Sequence, residues 1–165
     1  MGKENLNNTE ARKKFRELVD DITICMFATQ LDRQPLSVVP MYTKEVDEAG
    51  NLWFLSLRDS DHNRDIENNS ACQLLFSDGS GKFLSVYGFS EIHNDRERIE
   101  SLFSKMDKAW FDGPDDPKIT AIKFTPDQAV YWSNDHNKLV TLFKLGTAAI
   151  TGNDKDVGTS GELNL

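Results

Sequence analysis

A chain of 165 residues has the length of one domain and is long enough to bury a substantial core. Its 27 acidic residues outnumber 19 basic ones and leave a formal charge of −8, which opposes nonspecific attraction to nucleic acid or to an anionic membrane surface. No apolar run approaches the roughly 20 residues of a spanning helix, and the polar start Met1-Gly2-Lys3-Glu4-Asn5 lacks the apolar segment of a secretory signal, so a cytoplasmic location is expected.

Lipidation is not expected at Gly2, because Leu6 stands where the acylation pattern wants a hydroxyl residue. Cys25 and Cys72 lie far apart in apolar stretches, without CxxC spacing or a nearby histidine. Two reduced, buried thiols are the expectation, and no structural zinc site is indicated. His62, His93 and His136 are scattered, and none forms a set such as HExxH. No metal is expected.

Ala11, Phe15, Leu18, Val19 and Ile22 recur at helical spacing and predict an amphipathic first helix. Residues 24–31 and 35–46 read as a hairpin around Asp32-Arg33-Gln34, with Pro40 placing the second strand at an edge or a bulge. The turn Glu48-Ala49-Gly50-Asn51 leads to a buried third strand, Leu52-Trp53-Phe54-Leu55-Ser56-Leu57, which changes abruptly to Arg58-Asp59-Ser60-Asp61-His62-Asn63-Arg64. Ser60 is a candidate N-cap for a short helix to about residue 69. Free backbone N–H groups, the Ser56 and Ser60 hydroxyls, Arg58 and His62 would then face one small volume, as in an anion site. The plainer alternative is that Ser60 only caps the helix, Asp59 and Asp61 complement its dipole, and Arg58 and Arg64 are solvated. The local residues leave both readings open.

Residues 71–77 read as a fourth strand and, after Asp78-Gly79-Ser80-Gly81, residues 83–93 as a fifth. Leu84, Val86, Gly88, Ser90 and Ile92 form its narrow apolar face, and Phe83, Ser85, Tyr87, Phe89 and Glu91 the other. Small inward residues suit a small barrel, and the aromatic face then needs a cover, either a helix or a second subunit. Asn94-Asp95-Arg96-Glu97 resembles a capping box, and Ile99, Leu102, Phe103 and Met106 predict a helix to about residue 108. Trp110 and Phe111 border the loop Asp112-Gly113-Pro114-Asp115-Asp116-Pro117, where their rings either anchor the loop to the core or stack on a planar ligand. Residues 119–125 and 129–133 read as two strands joined by Pro126-Asp127, and Leu139, Leu142, Phe143, Gly146 and Ile150 as a last helix. A single domain over 1–152 with a loose tail over 153–165 results. The expected class is mainly β with peripheral α-helices, an antiparallel barrel. Neither GxGxxG nor a P-loop is present.

Taken in order, Pro40-Met41, Leu52-Trp53-Phe54 with Ser56 and Arg58-Asp59-Ser60, Val86-Tyr87-Gly88, Ala109-Trp110-Phe111 with Asp115-Asp116-Pro117, and Tyr131-Trp132 with Lys138-Leu139-Val140 resemble one family. It is the flavin-binding split-barrel family related to pyridoxamine 5'-phosphate oxidase, and within it the general stress protein 26 group. The resemblance implies a split β-barrel homodimer with two sites for FMN, or FAD, at the subunit interface. It assigns the flavin phosphate to the turn carrying Ser56, Arg58, Ser60 and His62. The flavin ring would lie along Val39, Pro40, Met41, Leu55 and Leu57, with Trp110 and Phe111 from the partner subunit. Relatives often carry a basic residue before the Pro-Met pair and a lysine two positions after the second serine. Val39 and His62 occupy those places here and remove fixed positive charge.

The first functional expectation is therefore a flavin-dependent oxidoreductase or flavin-carrying stress protein, the cofactor supplying the redox chemistry. No catalytic residue is marked, since no nucleophile elbow with a Ser-His-Asp order occurs. Alternatives are a non-enzymatic flavin carrier and a small-barrel module binding a partner protein or single-stranded nucleic acid; the acidic balance opposes nucleic acid. A true pyridoxamine 5'-phosphate oxidase is not expected. The oxidases that the chain resembles hold the substrate phosphate partly with C-terminal arginines, whereas the last arginine here is Arg98.

Overall fold

The computed structural model describes residues 4–6, 8–133 and 138–142. Helix α1 (Asn8–Asp21) buries Ala11, Phe15, Leu18 and Val19, the expected stripe. Among the described residues, nine strands follow one another around a single curled sheet. They are β1 (Glu4–Leu6), β2 (Ile24–Thr29), β3 (Ser37–Tyr42), β4 (Glu45–Val46), β5 (Leu52–Leu57), β6 (Ala71–Ser77), β7 (Phe83–His93), β8 (Ile119–Ser133) and β9 (Lys138–Leu142). Their order is β1-β9-β8-β7-β6-β2-β3, with β5 on the free side of β8 and β4 on β5. Every pairing is antiparallel except β1 with β9. Among the described residues no ladder joins β3 to β5, so the described sheet curls without closing. The architecture is the expected mainly-β split barrel with peripheral helices.

The core follows from strand alternation. Phe27, Phe54 and Phe124 meet at its centre, with Phe27 edge-on to both neighbours at centroid distances of 5.2 and 6.3 Å. Leu84, Val86 and Ser90 of β7 point inward, buried as predicted. Helix α2 (Asp61–Asn68) adds Ile66 to this core, and a second cluster gathers Trp53, Ile99, Leu102, Phe111, Ile119 and Ala121. Pro40 stands opposite Met26 on β3, an edge strand, where a missing N–H costs no ladder bond.

Four expectations are corrected. The second hairpin strand ends at Tyr42, because the Thr43 N–H bonds to Thr23 and the Lys44 N–H to Trp53, which carries the chain from the β2 edge to β5. Residues 119–125 and 129–133 are one strand, not two. Pro126 sits opposite Gly88 where the β7 register shifts, so its missing donor falls at an interruption already in the ladder. Helix α3 (Arg96–Leu102) stops short of residue 108: Asp95, not Asn94, caps it, Phe103 turns extended, and a separate 3-10 turn (Lys105–Ala109) leaves Met106 exposed. Lys138–Leu142 is a strand between β8 and β1, not the start of a helix. Phe143, Gly146, Ile150 and the tail lie outside the described residues.

The outer face of β7 has no helical cover among the described residues: Phe83 and Phe89 remain 45% and 44% exposed. No described helix is long and apolar enough to cross a membrane.

Candidate functional site

The polar turn after β5 is built by the ladder below it. The β5/β8 register ends with Leu57 opposite Ile119, and the Arg58 N–H bonds to the Lys118 carbonyl at 2.8 Å. The Ser60 N–H closes the turn on the Leu57 carbonyl at 3.0 Å, and Ser60, in an extended conformation, caps α2 by accepting from the Asn63 N–H. Beneath it, the Ser56 and Thr120 hydroxyls lie 2.7 Å apart, and Asn63 Nδ2 donates to Thr120 Oγ1 at 2.8 Å. All three residues are buried. This network fixes the helix start to both strands.

Arg58 is held rather than loose, since Nε and Nη2 donate to the Pro117 carbonyl at 3.2 and 3.0 Å. His62 Nε2 lies 3.0 Å from Ser60 Oγ. Burial pushes the His62 imidazole below its ordinary value, and the nearby Asp65 and Asp61 oppose that only in part, which favours the neutral ring.

An open cavity of about 530 Å³ adjoins this turn, within the range of small-molecule sites. Leu57, Arg58, Asp59 and Ser60 form one wall, and Trp110, Asp112, Asp116 and Lys118 the other. Trp110 is 69% exposed. The N–H groups of Lys118 and Asp112 bond the Asp116 carboxylate at 2.9 and 3.2 Å and hold its pKa below the usual range.

The tryptophan's backbone is set by Asp107. Its carbonyl accepts the Trp110 and Phe111 N–H groups, each at 3.0 Å. Its carboxylate accepts from Lys44 Nζ at 2.7 Å, the Ser104 N–H at 2.7 Å and the Ser104 hydroxyl at 2.8 Å. Burial raises the Asp107 pKa, yet the bonds from Lys44 and Ser104 outweigh it and leave the carboxyl below its ordinary value.

Of the residues expected at the site, Leu57, Arg58, Ser60 and Trp110 converge on the cavity, with His62 beside Ser60. Trp110 lines it from the same chain as Arg58. Ser56 is buried under the turn, its hydroxyl engaged with Thr120. Phe111 is buried in the second cluster, and Leu55 packs against it. Val39, Pro40 and Met41 stand on β3 outside this cavity, Val39 half-buried and Met41 in the core. Sequence reasoning missed Lys118 and the Asn63–Thr120 layer, because both depend on the β5/β8 pairing, which no local pattern announces. Among the described residues no group of His, Cys, Asp or Glu is arranged to hold a metal.

A split antiparallel barrel, with a capped helix start and an aromatic arm at the end of its fifth strand, defines a class of small β proteins. Within that class, the family described as Pyridoxamine 5'-phosphate oxidase like matches residues 10–156, and the chain belongs to it. General stress protein 26 of Bacillus subtilis is 23% identical over 126 residues, 74% of this chain and 88% of that protein. Among solved structures, a Clostridium acetobutylicum protein related to general stress protein 26 is 25% identical with a TM-score of 0.68, covering 84% of this chain and 96% of that one. The general stress FMN/FAD binding protein of Xanthomonas citri is 19% identical with a TM-score of 0.63, covering 92% of this chain and all 100% of its own.

Proposed function

We propose that the protein binds FMN, or FAD in its place, with the flavin phosphate at the cavity between Ser60 and Trp110, and serves as a flavin-dependent oxidoreductase of the stress-protein type. The observation that carries this reading is the convergence of the capped start of α2, the anchored Arg58 and the exposed Trp110 ring on one open cavity. These are the parts a phosphorylated planar ligand needs: anion donors at one end and a stacking surface beside them. The FMN/FAD binding of a structural relative supports the same reading. Bound flavin would supply the electron transfer. The chain's own part is to hold the phosphate with Arg58, Ser60 and the first N–H groups of α2, and to shield the ring with Trp110.

A titration of the purified protein with FMN tests this. Saturable quenching of flavin fluorescence with a Kd near or below about 1 μM is expected, equivalent to about −8 kcal/mol. Unchanged fluorescence at tens of micromolar FMN, on the order of −6 kcal/mol or weaker, would defeat the reading. Stoichiometric binding with no electron passed from reduced nicotinamide to dioxygen would mark a flavin carrier instead. Pyridoxamine 5'-phosphate should not be turned over at a rate comparable to a dedicated oxidase, because the last arginine is Arg98 and the substrate anion lacks a C-terminal bidentate partner.

His62 should make FMN affinity depend on pH. A bound phosphate raises the imidazole pKa, so the affinity from imidazolium is present at low pH and is lost as pH rises through the bound-state value. The phosphate's own second ionisation near pH 6 runs the other way, so variants must be compared. FMN affinity should fall between about pH 6.5 and 8.5 more for the parent than for His62→Gln, and His62→Lys should bind more tightly than either at the upper end. Equal affinities throughout would remove His62 from the phosphate site.

The active form is a homodimer joined through the outer sheet face. Met26 faces Pro40 on one side and Leu75 on the other, and Phe83 faces Trp132, so exposed apolar residues run across five adjacent strands. A continuous face of this kind is unusual on a monomer. Sedimentation should show a dimer at micromolar concentration, and Leu75→Asp should convert it to a monomer.

A further inference from the structure

We propose that Lys118 is the second fixed cation of the flavin-phosphate site, beside Arg58. This rests on the flavin reading above. The β5/β8 register sets Arg58 and Lys118 across from one another, one rung beyond Leu57 and Ile119, with the Arg58 N–H on the Lys118 carbonyl at 2.8 Å. Like charges directly opposite on neighbouring strands repel, and a dianion between them turns that repulsion into a two-sided clamp. Both residues line the cavity beside Ser60. Arg58 is anchored to the Pro117 carbonyl through Nε and Nη2, which leaves the Nη1 group for a ligand.

The cavity also holds Asp59, Asp112 and Asp116. The Asp116 carboxylate accepts from the N–H groups of Lys118 and Asp112 and also feels the Lys118 and Arg96 charges, so a bound phosphate competes with it for Lys118. With Asp59 and Asp112 exposed nearby, the lining as a whole does not attract anions over a distance. The two cations act by direct contact, which favours a ligand that the Trp110 side of the cavity also grips. A flavin that carries a phosphate meets that requirement, and inorganic phosphate alone does not.

The test is a parallel titration of the full chain, Lys118→Gln and Lys118→Arg with FMN and with riboflavin. Lys118→Gln should weaken FMN about tenfold, the size of one charge-assisted contact at a partly exposed site. It should leave riboflavin affinity and the thermal melt unchanged, and Lys118→Arg should restore FMN binding. An unchanged FMN affinity in Lys118→Gln, or equal weakening of both flavins, overturns the assignment while leaving the flavin reading intact. Failure of the parent to bind either flavin overturns both.

Discussion

Gly88→Ala should destabilise the protein by about 3 kcal/mol or more, at or beyond the upper end of ordinary overpacking. A Cβ at residue 88 would stand 2.2 Å from the Thr125 carbonyl oxygen, 2.7 Å from Phe124 Cζ and 3.0 Å from Pro126 Cα. Two of these atoms belong to the β8 backbone, so no rotamer change relieves them. Phe124 is fully buried against Phe27 and cannot retreat without disturbing the centre of the core. The close approach is the reason that β8 can pass Pro126 without breaking: the β7 register shifts between Tyr87 and Gly88, where the two strands come together. A methyl group there pushes β8 away from β7 at this pairing. A fall in melting temperature of roughly 6–12 °C is expected, at about 2–4 °C per kcal/mol for a domain of this size. Gly79→Ala is the reference. Nothing lies within 4 Å of its Cβ, and only its φ of +73° is unsuited to alanine, so its cost should be about 1 kcal/mol. Equal melts for the two variants would show that the β7/β8 crossing is not sterically closed.

Much of this arrangement is legible in the chain because local and tertiary preferences agree there. The stripe Phe15, Leu18, Val19 forms α1, the runs at Leu52–Leu57, Ala71–Ser77 and Phe83–His93 become strands over those bounds, and Ser60 caps α2. Where they diverge, the sequence is ambiguous for physical reasons. Pro126 is a strand-breaker by itself, and only the bulge opposite it makes it acceptable. Leu139 and Leu142 fit a helical stripe as well as a strand, and the ladders to β8 and β1 decide between them. Trp110 and Phe111 carry the same local signal, yet one ring reaches the cavity and the other enters the second cluster. The anion turn is written in Ser60 and Arg58, but its second wall comes from residues about fifty positions later, brought there by the β5/β8 register.

The second large effect should come from Asp107→Asn, at about 3–5 kcal/mol, the cost of leaving a buried charge without its partner. The side chains of Lys44 and Asp107 are only 6% and 9% exposed, 2.7 Å apart. Asparagine can still accept from the Ser104 N–H, so the turn keeps its cap, while the Lys44 ammonium loses its counter-charge in a poorly solvated place. The penalty belongs to the stranded cation rather than to the bond, and Lys44→Met added to Asp107→Asn should therefore recover much of it. Additive losses in urea denaturation of the two single variants and the double variant would contradict this account. The pH dependence has a definite sign. Because the folded-state pKa of Asp107 lies below its ordinary value, its contribution is present above the unfolded pKa of about 3.9 and is lost as pH falls through the folded value. The parent should thus lose more stability on acidification below about pH 4 than Asp107→Asn does. The Trp110 and Phe111 N–H groups bond the backbone carbonyl of the same residue, which the substitution leaves in place, so Asp107→Asn should lower the melt while changing FMN affinity little.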